Sequence, residues 1–510
     1  MTGEVRNLKN HDPFYLHFGP CKLKVFKYLE SKSMQIFRIG HPLLANLILV
    51  SLCIVHVHPL VAQQELPPDL STRKKGVDWP EFLGTNRDSK SPETGILKDW
   101  SDGKLKIKWT RRLEESYGIG SVSRGRFFQF DRVEGKEVLF CLNAETGKLI
   151  WKKSYDVAYR DLYGYNSGPR TSPVIDGNRV YTYGVSGELR CWKIEDGSLV
   201  WKLDTNKKFG VIQNFFGVGS TPVIHGNSII VMVGGSPPES KSLPPGALDR
   251  VVGNGSGIVA FDKRSGEVKY QLSDELASYS SPTLAKIDGV DWCFAFCRGG
   301  LFAFDPASGK KRFHYPWRDK QLESVNASNP VVVKDTVFIS ETYGIGSSLL
   351  KVKKDGFEVV WKDEERSRKR AMETHWNTAI FHKDHYYGSS GRHSGNAILK
   401  CIEAKTGKEK WKVPGLSRSS LLYVDGHFIC LTETGRLFLF KANSDKFEIV
   451  TQIRLDLPGI RPKPADDKKA TDEDEPLLSY PCWAAPILSH GLLYVRGPDY
   501  LICLELIESP

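Results

Sequence analysis

Short segments with alternating apolar and polar residues recur along the chain, and tight turns separate them. Many of these turns hold a glycine after Asp or His, as in Asp176-Gly177, His225-Gly226 and Asp425-Gly426. An Asp-Gly pair between two alternating segments is the turn chemistry of a β-hairpin. The pattern therefore predicts many short antiparallel strands.

A second feature repeats at longer spacing: an aromatic residue follows a turn glycine by four positions. The copies that keep this spacing are Gly147 with Trp151, Gly197 with Trp201, Gly266 with Tyr270, Gly309 with Phe313, and Gly407 with Trp411. Upstream of the turns stand Ser172-Pro173-Val174, Thr221-Pro222-Val223, Ser281-Pro282-Thr283, Asn329-Pro330-Val331 and Ala485-Pro486-Ile487. A unit of four short strands in about 40–50 residues is the period of a propeller blade. We expect the aromatic residue to pack between neighbouring blades.

The last unit stops before its turn and aromatic residue, while an unassigned strand, residues 105–109, precedes the first unit. That strand can complete the last blade and close the ring, which removes open sheet edges. The sequence thus predicts an all-β, eight-bladed β-propeller over residues 105–510. Residues 235–257 and 458–478 are loop insertions in it, and the first is a candidate lid over the central opening.

The amino-terminal part has a different composition. Residues 42–55 are apolar, Arg38 precedes them, and Ala62 offers a small residue before Gln63. This predicts a signal peptide within a leader of residues 1–62, with Met34 as an alternative start and an uncleaved anchor as the other possibility. Residues 63–104 form an extension. We expect a periplasmic or secreted protein, and association with the cell envelope is an alternative. We also expect a monomer that has no membrane span once the signal peptide is cleaved.

Charge and motifs exclude several functions. The chain of 510 residues has a net charge of +11, of which the leader supplies +4. The remaining charge is dispersed, so nucleic-acid binding is not expected. The sequence contains no Cys-x-x-Cys-His, His-Glu-x-x-His, phosphate-binding loop or dinucleotide-binding glycine pattern. Four cysteines share one register position in the repeat, and we expect buried free thiols there.

Ligands of propellers bind on the axis, where the segments leading into the innermost strands meet. Several of those segments carry residues that an apolar core would not select. The candidate ligand-binding residues are Arg170, Arg298, Asn326, Asn329, Tyr343, Trp376, Asn377 and Arg392. The arginines can pair with carboxylates of a ligand, and Trp376 can stack on a ring of the ligand. Glu323 and Asn326 are candidate ligands of a hard cation, and His375 or His393 is a candidate base. The alternative is that these residues bond backbone groups or lie on the solvated rim.

The Thr-Gly-Lys-x-x-Trp turns at Thr146 and Thr406, with the upstream Ser-Pro-Val strand, resemble the pyrroloquinoline-quinone (PQQ)-like repeat family over about residues 105–506. This resemblance implies the propeller fold. It also implies two functional classes, because the family includes quinoprotein alcohol dehydrogenases and cofactor-free assembly factors of the BamB type. The enzymes hold PQQ with Ca²⁺ on the axis, under a disulfide of adjacent cysteines. This sequence has no adjacent cysteine pair.

We therefore expect a non-catalytic extracytoplasmic scaffold that binds protein partners of the periplasm or cell envelope. A PQQ-dependent alcohol dehydrogenase, of the polyvinyl-alcohol-dehydrogenase type, is the first alternative. A propeller that binds carbohydrate or another polymer is the second, with Tyr165, Trp376 and Trp483 as stacking faces.

Overall fold

A computed structural model describes residues 66–365, 367, 369–455 and 477–509. The leader with its predicted signal peptide lies outside the described residues, as does nearly all of the insertion at 458–478. The described chain begins with an extended segment, followed by a single 3-10 turn at Ser101–Gly103 and strand β1 (Lys106–Arg112).

Seven four-stranded antiparallel sheets follow in chain order, and we number them as blades 1 to 7. Blade 1 consists of β2 (Ser121–Ser123), β3 (Arg126–Val133), β4 (Lys136–Asn143) and β5 (Leu149–Asp156). Blade 2 consists of β6 (Val174–Asp176), β7 (Arg179–Tyr183), β8 (Glu188–Lys193) and β9 (Leu199–Asp204), and blade 3 of β10 (Val223–His225), β11 (Ser228–Met232), β12 (Ile258–Asp262) and β13 (Val268–Leu272). Blade 4 consists of β14 (Thr283–Ile287), β15 (Val290–Phe296), β16 (Gly300–Phe304) and β17 (Lys311–Pro316).

Blades 5 to 7 consist of β18 (Val331–Val333), β19 (Thr336–Ser340), β20 (Ser347–Lys353) and β21 (Gly356–Lys362); β22 (Ile380–His382), β23 (His385–Ser390), β24 (Ile398–Glu403) and β25 (Glu409–Pro414); and β26 (Ser419–Val424), β27 (His427–Thr432), β28 (Arg436–Lys441) and β29 (Ile449–Arg454). Blade 8 consists of β30 (Ile487–Ser489), β31 (Leu492–Arg496), β32 (Tyr500–Glu505) and β1, which pairs antiparallel with β32. The predicted eight-bladed propeller is confirmed.

Helix is scarce in the described residues. The α-helix α1 (Thr205–Phe209) follows blade 2, and further 3-10 turns occur at Pro238–Ser242, Leu248–Arg250 and Ser394–Asn396. No helix in the described ranges is long and apolar enough to cross a membrane. The cysteines described here are buried free thiols: Cys141, Cys191, Cys293, Cys297, Cys401, Cys430, Cys482 and Cys503.

The repeated aromatic residue joins each blade to the next, as predicted. The Trp151 Nε1–H of blade 1 donates to the carbonyl of Ile194 in blade 2, at 3.1 Å. The turn glycine of the next blade lies against the same ring, because a Cβ on Gly197 would approach Trp151 Cε3 to 2.7 Å. Gly266 stands in the same relation to Trp201. Glycine and tryptophan are thus two halves of one inter-blade contact, which explains why they recur together.

The residue before the repeated proline forms a second set of inter-blade bonds near the axis. The backbone N–H of Ser172 donates to Thr221 Oγ1, that of Thr221 to Ser281 Oγ, and that of Ser281 to Asn329 Oδ1, at 3.1, 2.9 and 2.8 Å. The N–H of Asn329 in turn donates to Thr378 Oγ1 at 3.0 Å. Ser, Thr and Asn recur at this position because each has a side-chain acceptor of suitable length.

The segment 79–91, which we call the floor segment, runs across the hairpin-turn end of the axis. Trp79 pairs with Val122 of blade 1, and the carbonyl of Pro80 accepts from the N–H of Ile175 in blade 2 at 2.8 Å. At the far side, Tyr423 of blade 7 exchanges backbone hydrogen bonds with residues 89 and 91. The floor segment therefore connects blades 1 and 2 with blade 7.

Candidate functional site

An axial pocket of about 470 Å³ lies where the segments between blades converge. We call the segments leading from the outer strand of one blade to the inner strand of the next the entry loops. Their described parts are residues 113–120, 157–173, 205–222, 273–282, 317–330, 363–365, 367, 369–379, 415–418, 455 and 477–486. Phe82, Leu83 and Ser89 of the floor segment also line the pocket. The volume falls in the range of about 300–1,000 Å³ that is typical of ligand pockets.

Aromatic rings form the walls of the pocket and continue out onto its mouth. Tyr117 and Trp483 lie 4.8 Å apart between ring centroids, and Trp376 lies 6.0 Å from Trp483. At the mouth, Tyr163, Tyr165 and Tyr480 are 53%, 59% and 54% exposed. We call these three exposed side chains the aromatic collar. The ring centroids of Tyr165 and Tyr480 lie 6.4 and 6.2 Å from that of Trp483, and the ring centroid of Tyr163 lies 5.6 Å from that of Phe216, so the collar contacts the pocket wall.

Most of the sequence-predicted residues meet in this pocket. Its lining includes Arg170, Tyr343, His375, Trp376, Asn377, Arg392 and His393. The lining does not include Arg298, Glu323, Asn326 or Asn329.

The residues outside the lining have structural contacts. Asn326 is fully buried, and its Nδ2 donates to the carbonyls of Cys297 and Trp317 at 2.7 and 3.2 Å. Arg298 donates to the Leu322 carbonyl at 2.8 Å and pairs with Asp249 at 3.1 Å. Asn329 belongs to the inter-blade bonds described above. Glu323 is exposed.

The insertion at 235–257 packs onto the ring beside the pocket. Leu248 is buried in a cluster with Phe215, Val325 and Tyr343. Asp249 accepts hydrogen bonds from Arg298 and from Arg318, at 3.1 and 2.8 Å. These contacts hold the insertion against the ring beside Tyr343, which lines the pocket, but no residue of the insertion belongs to that lining.

A buried ion pair, which the sequence reasoning missed, organises the polar side of the pocket. Arg418 donates through Nε to Glu433 Oε2 at 2.9 Å, and a second guanidinium nitrogen lies 2.7 Å from the same oxygen. Trp483 Nε1–H also donates to that carboxylate, at 3.0 Å. Burial alone would raise the pKa of Glu433, but the bonds from Arg418 and Trp483 outweigh it and lower that pKa. Glu433 remains charged and fixes Arg418.

Arg418 then determines which nitrogen of His375 carries the proton and helps to keep the ring neutral. One guanidinium N–H lies 3.1 Å from His375 Nδ1, and arginine has no acceptor, so Nδ1 is the acceptor. Burial and the charges of Arg418 and Arg392 lower the pKa of His375 to about 3, so the ring is neutral and carries its proton on Nε2. That nitrogen lies 3.3 Å from the Tyr343 hydroxyl oxygen and donates to it. The Tyr343 oxygen therefore accepts the hydrogen bond from His375, and the hydrogen of the Tyr343 hydroxyl does not take part in it.

The three arginines of the lining differ in their partners. Arg170 pairs with the buried Asp161 at 2.9 Å, and Arg418 pairs with Glu433. Arg392 has no carboxylate partner among the described residues; its guanidinium carbon lies 4.5 Å from the Tyr343 ring centroid, and one N–H reaches Gln321 Oε1 at 3.3 Å. No Asp or Glu lines the pocket in the described ranges. Arg392 thus gives the pocket one excess positive charge.

The two predicted ligands of a hard cation, Glu323 and Asn326, lie outside the lining of the axial pocket. A calcium site needs several oxygen ligands around one cation. Within the described ranges, no group of three or more His, Cys, Asp or Glu residues could hold a metal ion. Asn326 donates its amide nitrogen to backbone carbonyls, and its Oδ1 is buried without a hydrogen-bond partner among the described residues. Two of the arginines predicted to bind carboxylates, Arg170 and Arg298, already pair with aspartates.

The fold and this pocket define a β-propeller with an axial binding cavity. The family model described as "Outer membrane protein assembly factor BamB" matches residues 135–413, more than half of the chain. The chain belongs to this PQQ-repeat family, which confirms the resemblance found in the sequence. A search of curated protein sequences finds no match.

Solved structures share the fold at low sequence identity. The quinohemoprotein alcohol dehydrogenase from Comamonas testosteroni is 13% identical with a TM-score of 0.55, over 85% of this chain and 81% of the other. BamB from Moraxella catarrhalis is 11% identical with a TM-score of 0.49, over 79% of this chain and 97% of the other. At 13% identity, the likeness to the dehydrogenase is one of fold.

Proposed function

We propose that this protein is a non-catalytic, extracytoplasmic propeller that holds a protein partner on its entry-loop face. Two features support the proposal: membership in a family described as an outer membrane protein assembly factor, and the predicted signal peptide. The feature that carries it is the aromatic collar. Contiguous exposed aromatic surface on a folded protein marks an interaction site.

The chemistry of the collar suits a protein partner. Tyrosine and tryptophan give a large contact area with few rotatable bonds, and they dominate the binding energy of protein interfaces. Tyr163, Tyr165 and Tyr480 rest on Phe215, Phe216 and Trp483, so they are held in place before a partner arrives. A preordered collar lowers the entropy cost of binding.

Site-specific crosslinking tests this proposal. A photoreactive amino acid at Tyr165, with Leu199 on the outer strand β9 as the matched control, would be introduced into the protein in its own cells; Leu199 is 44% exposed. We expect a defined protein product at Tyr165 that is absent at Leu199. The captured protein would then be purified and its affinity measured. The double variant Tyr165→Ala and Tyr480→Ala should weaken it at least tenfold, whereas unchanged affinity contradicts the proposal.

Carbohydrate or polymer binding is the second candidate, because Tyr165, Trp376 and Trp483 all line the pocket. Stacking of a sugar ring would change tryptophan fluorescence. Saturable quenching by an oligosaccharide, with no protein partner at the collar, would favour this candidate over the scaffold.

A further inference from the structure

The axial pocket has the polar groups of a receptor for an anion. Arg392 is the cation of its lining that lacks a carboxylate partner among the described residues. Beside it, the hydroxyl of Tyr343 accepts from His375 Nε2 at 3.3 Å and has no acceptor for its own hydrogen in the described structure. Both groups can donate to a ligand. A guanidinium binds a carboxylate or a phosphate with two parallel hydrogen bonds, and the single excess charge of this pocket matches the single charge of a carboxylate.

The network behind these two groups fixes their orientation. Arg392 stacks on the Tyr343 ring at 4.5 Å, and its backbone carbonyl accepts from Arg418 at 3.2 Å. Arg418 is held by Glu433, and it also sets the tautomer of His375. Because His375 donates to Tyr343, the hydrogen of the Tyr343 hydroxyl is available to donate to a ligand. Arg418 and His375 are therefore positioning residues.

The lining of the pocket restricts what can bind. Phe82 and Leu83 of the floor segment, with Phe216, Tyr279 and Trp376, provide an apolar wall beside the two donors. A ligand that matches both features has one carboxylate on an apolar or aromatic body.

We infer that the pocket receives the C-terminal carboxylate of a partner polypeptide whose last side chain is aromatic or apolar, with Arg392 and Tyr343 binding the carboxylate. This inference rests on the proposed function, because it assigns a chemical identity to the protein segment that the collar admits. It would make the chain end of the partner the determinant of recognition.

The test uses a synthetic pentapeptide ending in phenylalanine, prepared as the free acid and as the C-terminal amide, titrated calorimetrically into the purified protein. A third peptide carries an internal glutamate and an amidated C-terminus. Charge-assisted hydrogen bonds are about twice as strong as neutral ones, so the free acid should bind about 10- to 100-fold more tightly than either amide. Equal binding of acid and amides, or binding of none of the three, overturns the inference.

Variants assign the effect to the named residues. Arg392→Gln should abolish the preference for the acid over the amide, Arg392→Lys should keep part of it, and Tyr343→Phe should reduce it several-fold. Arg160→Gln is the matched control, because Arg160 lies exposed on an entry loop and outside the pocket lining. A preference that survives in Arg392→Gln contradicts the assignment.

The two proposals can fail separately. If the partner captured at Tyr165 binds through the collar while the acid and amide peptides bind equally, only the chain-end inference is wrong. If no partner is captured and no peptide binds, the scaffold function fails as well.

Discussion

Replacing a turn glycine by alanine tests the inter-blade contact that generates the repeat. Gly266 has a φ of +76°, and a Cβ there would lie 2.8 Å from Trp201 Cε3 and 2.9 Å from Trp201 Cδ2. The left-handed backbone costs an alanine about 1–2 kcal/mol, and overpacking against a ring adds about 1–3 kcal/mol. Gly266→Ala should therefore lower the free energy of unfolding by about 2–5 kcal/mol.

Gly289 is the matched control. Its φ of +79° is nearly the same, but nothing lies within 4 Å of the position that a Cβ would take, so Gly289→Ala should cost only the backbone share of about 1–2 kcal/mol. Urea denaturation followed by circular dichroism measures both values. In the double variant Gly266→Ala with Trp201→Leu, the alanine penalty should fall to that seen at Gly289.

An equal loss of stability at Gly266 and Gly289 would refute the reasoning, since it would mean that the ring of Trp201 yields without cost. So would an alanine penalty at Gly266 that does not change when Trp201 is replaced.

Three further predictions concern the buried polar contacts. Arg418→Gln leaves the carboxylate of Glu433 buried without its cation and should cost about 3–5 kcal/mol of stability, seen as a lower melting temperature; an unchanged melting temperature would contradict it. Trp151→Phe removes one inter-blade hydrogen bond and should cost about 1–2 kcal/mol in the same assay, and no loss would show that the bond is replaced by water. The hydrogen bond to Asp78 raises the pKa of His490 against the opposing effect of burial, so this contact stabilises the fold fully below about pH 6.5 and loses its effect as the pH rises through the raised value. His490→Gln should flatten the dependence of the melting temperature on pH above neutrality, and an unaltered slope would refute that assignment.

The architecture was predictable because each blade repeats the same local contacts. Gly147 and Gly197 occupy equivalent positions in successive units, as do Trp151 and Trp201, and the spacing along the chain gives the length of one blade. The length of the sequence repeat therefore predicts the blade as the structural unit. One sequence is enough to reveal this repeat because the chain contains several copies of the same blade.

The site was less predictable because its contacts do not repeat. Arg418 and Glu433 belong to one blade and pair once, so no period indicates them. Arg170 and Arg298 look like free cations in the sequence, yet Asp161 and Asp249 reach them through loop geometry that the pattern does not contain. A signal did exist for Glu433: a carboxylate directly after the apolar strand β27 must find a partner.

The insertion at 235–257 illustrates the same limit. Its composition predicted a loop insertion and a candidate lid, and Leu248 and Asp249 are among the residues that hold it against the ring. One apolar and one acidic residue in a polar segment form no recognisable period. Contacts of that kind emerge only when the neighbouring blades are in place.

The measurement that tests the central claim most directly is a calorimetric titration of the purified protein with PQQ in the presence of Ca²⁺. A non-catalytic, protein-binding propeller predicts no Ca²⁺-dependent quinone binding and no reduction of a dye by alcohols in the presence of the quinone. One-to-one binding that requires Ca²⁺ and supports dye reduction with an alcohol would contradict the account and assign the axial pocket to a quinone cofactor.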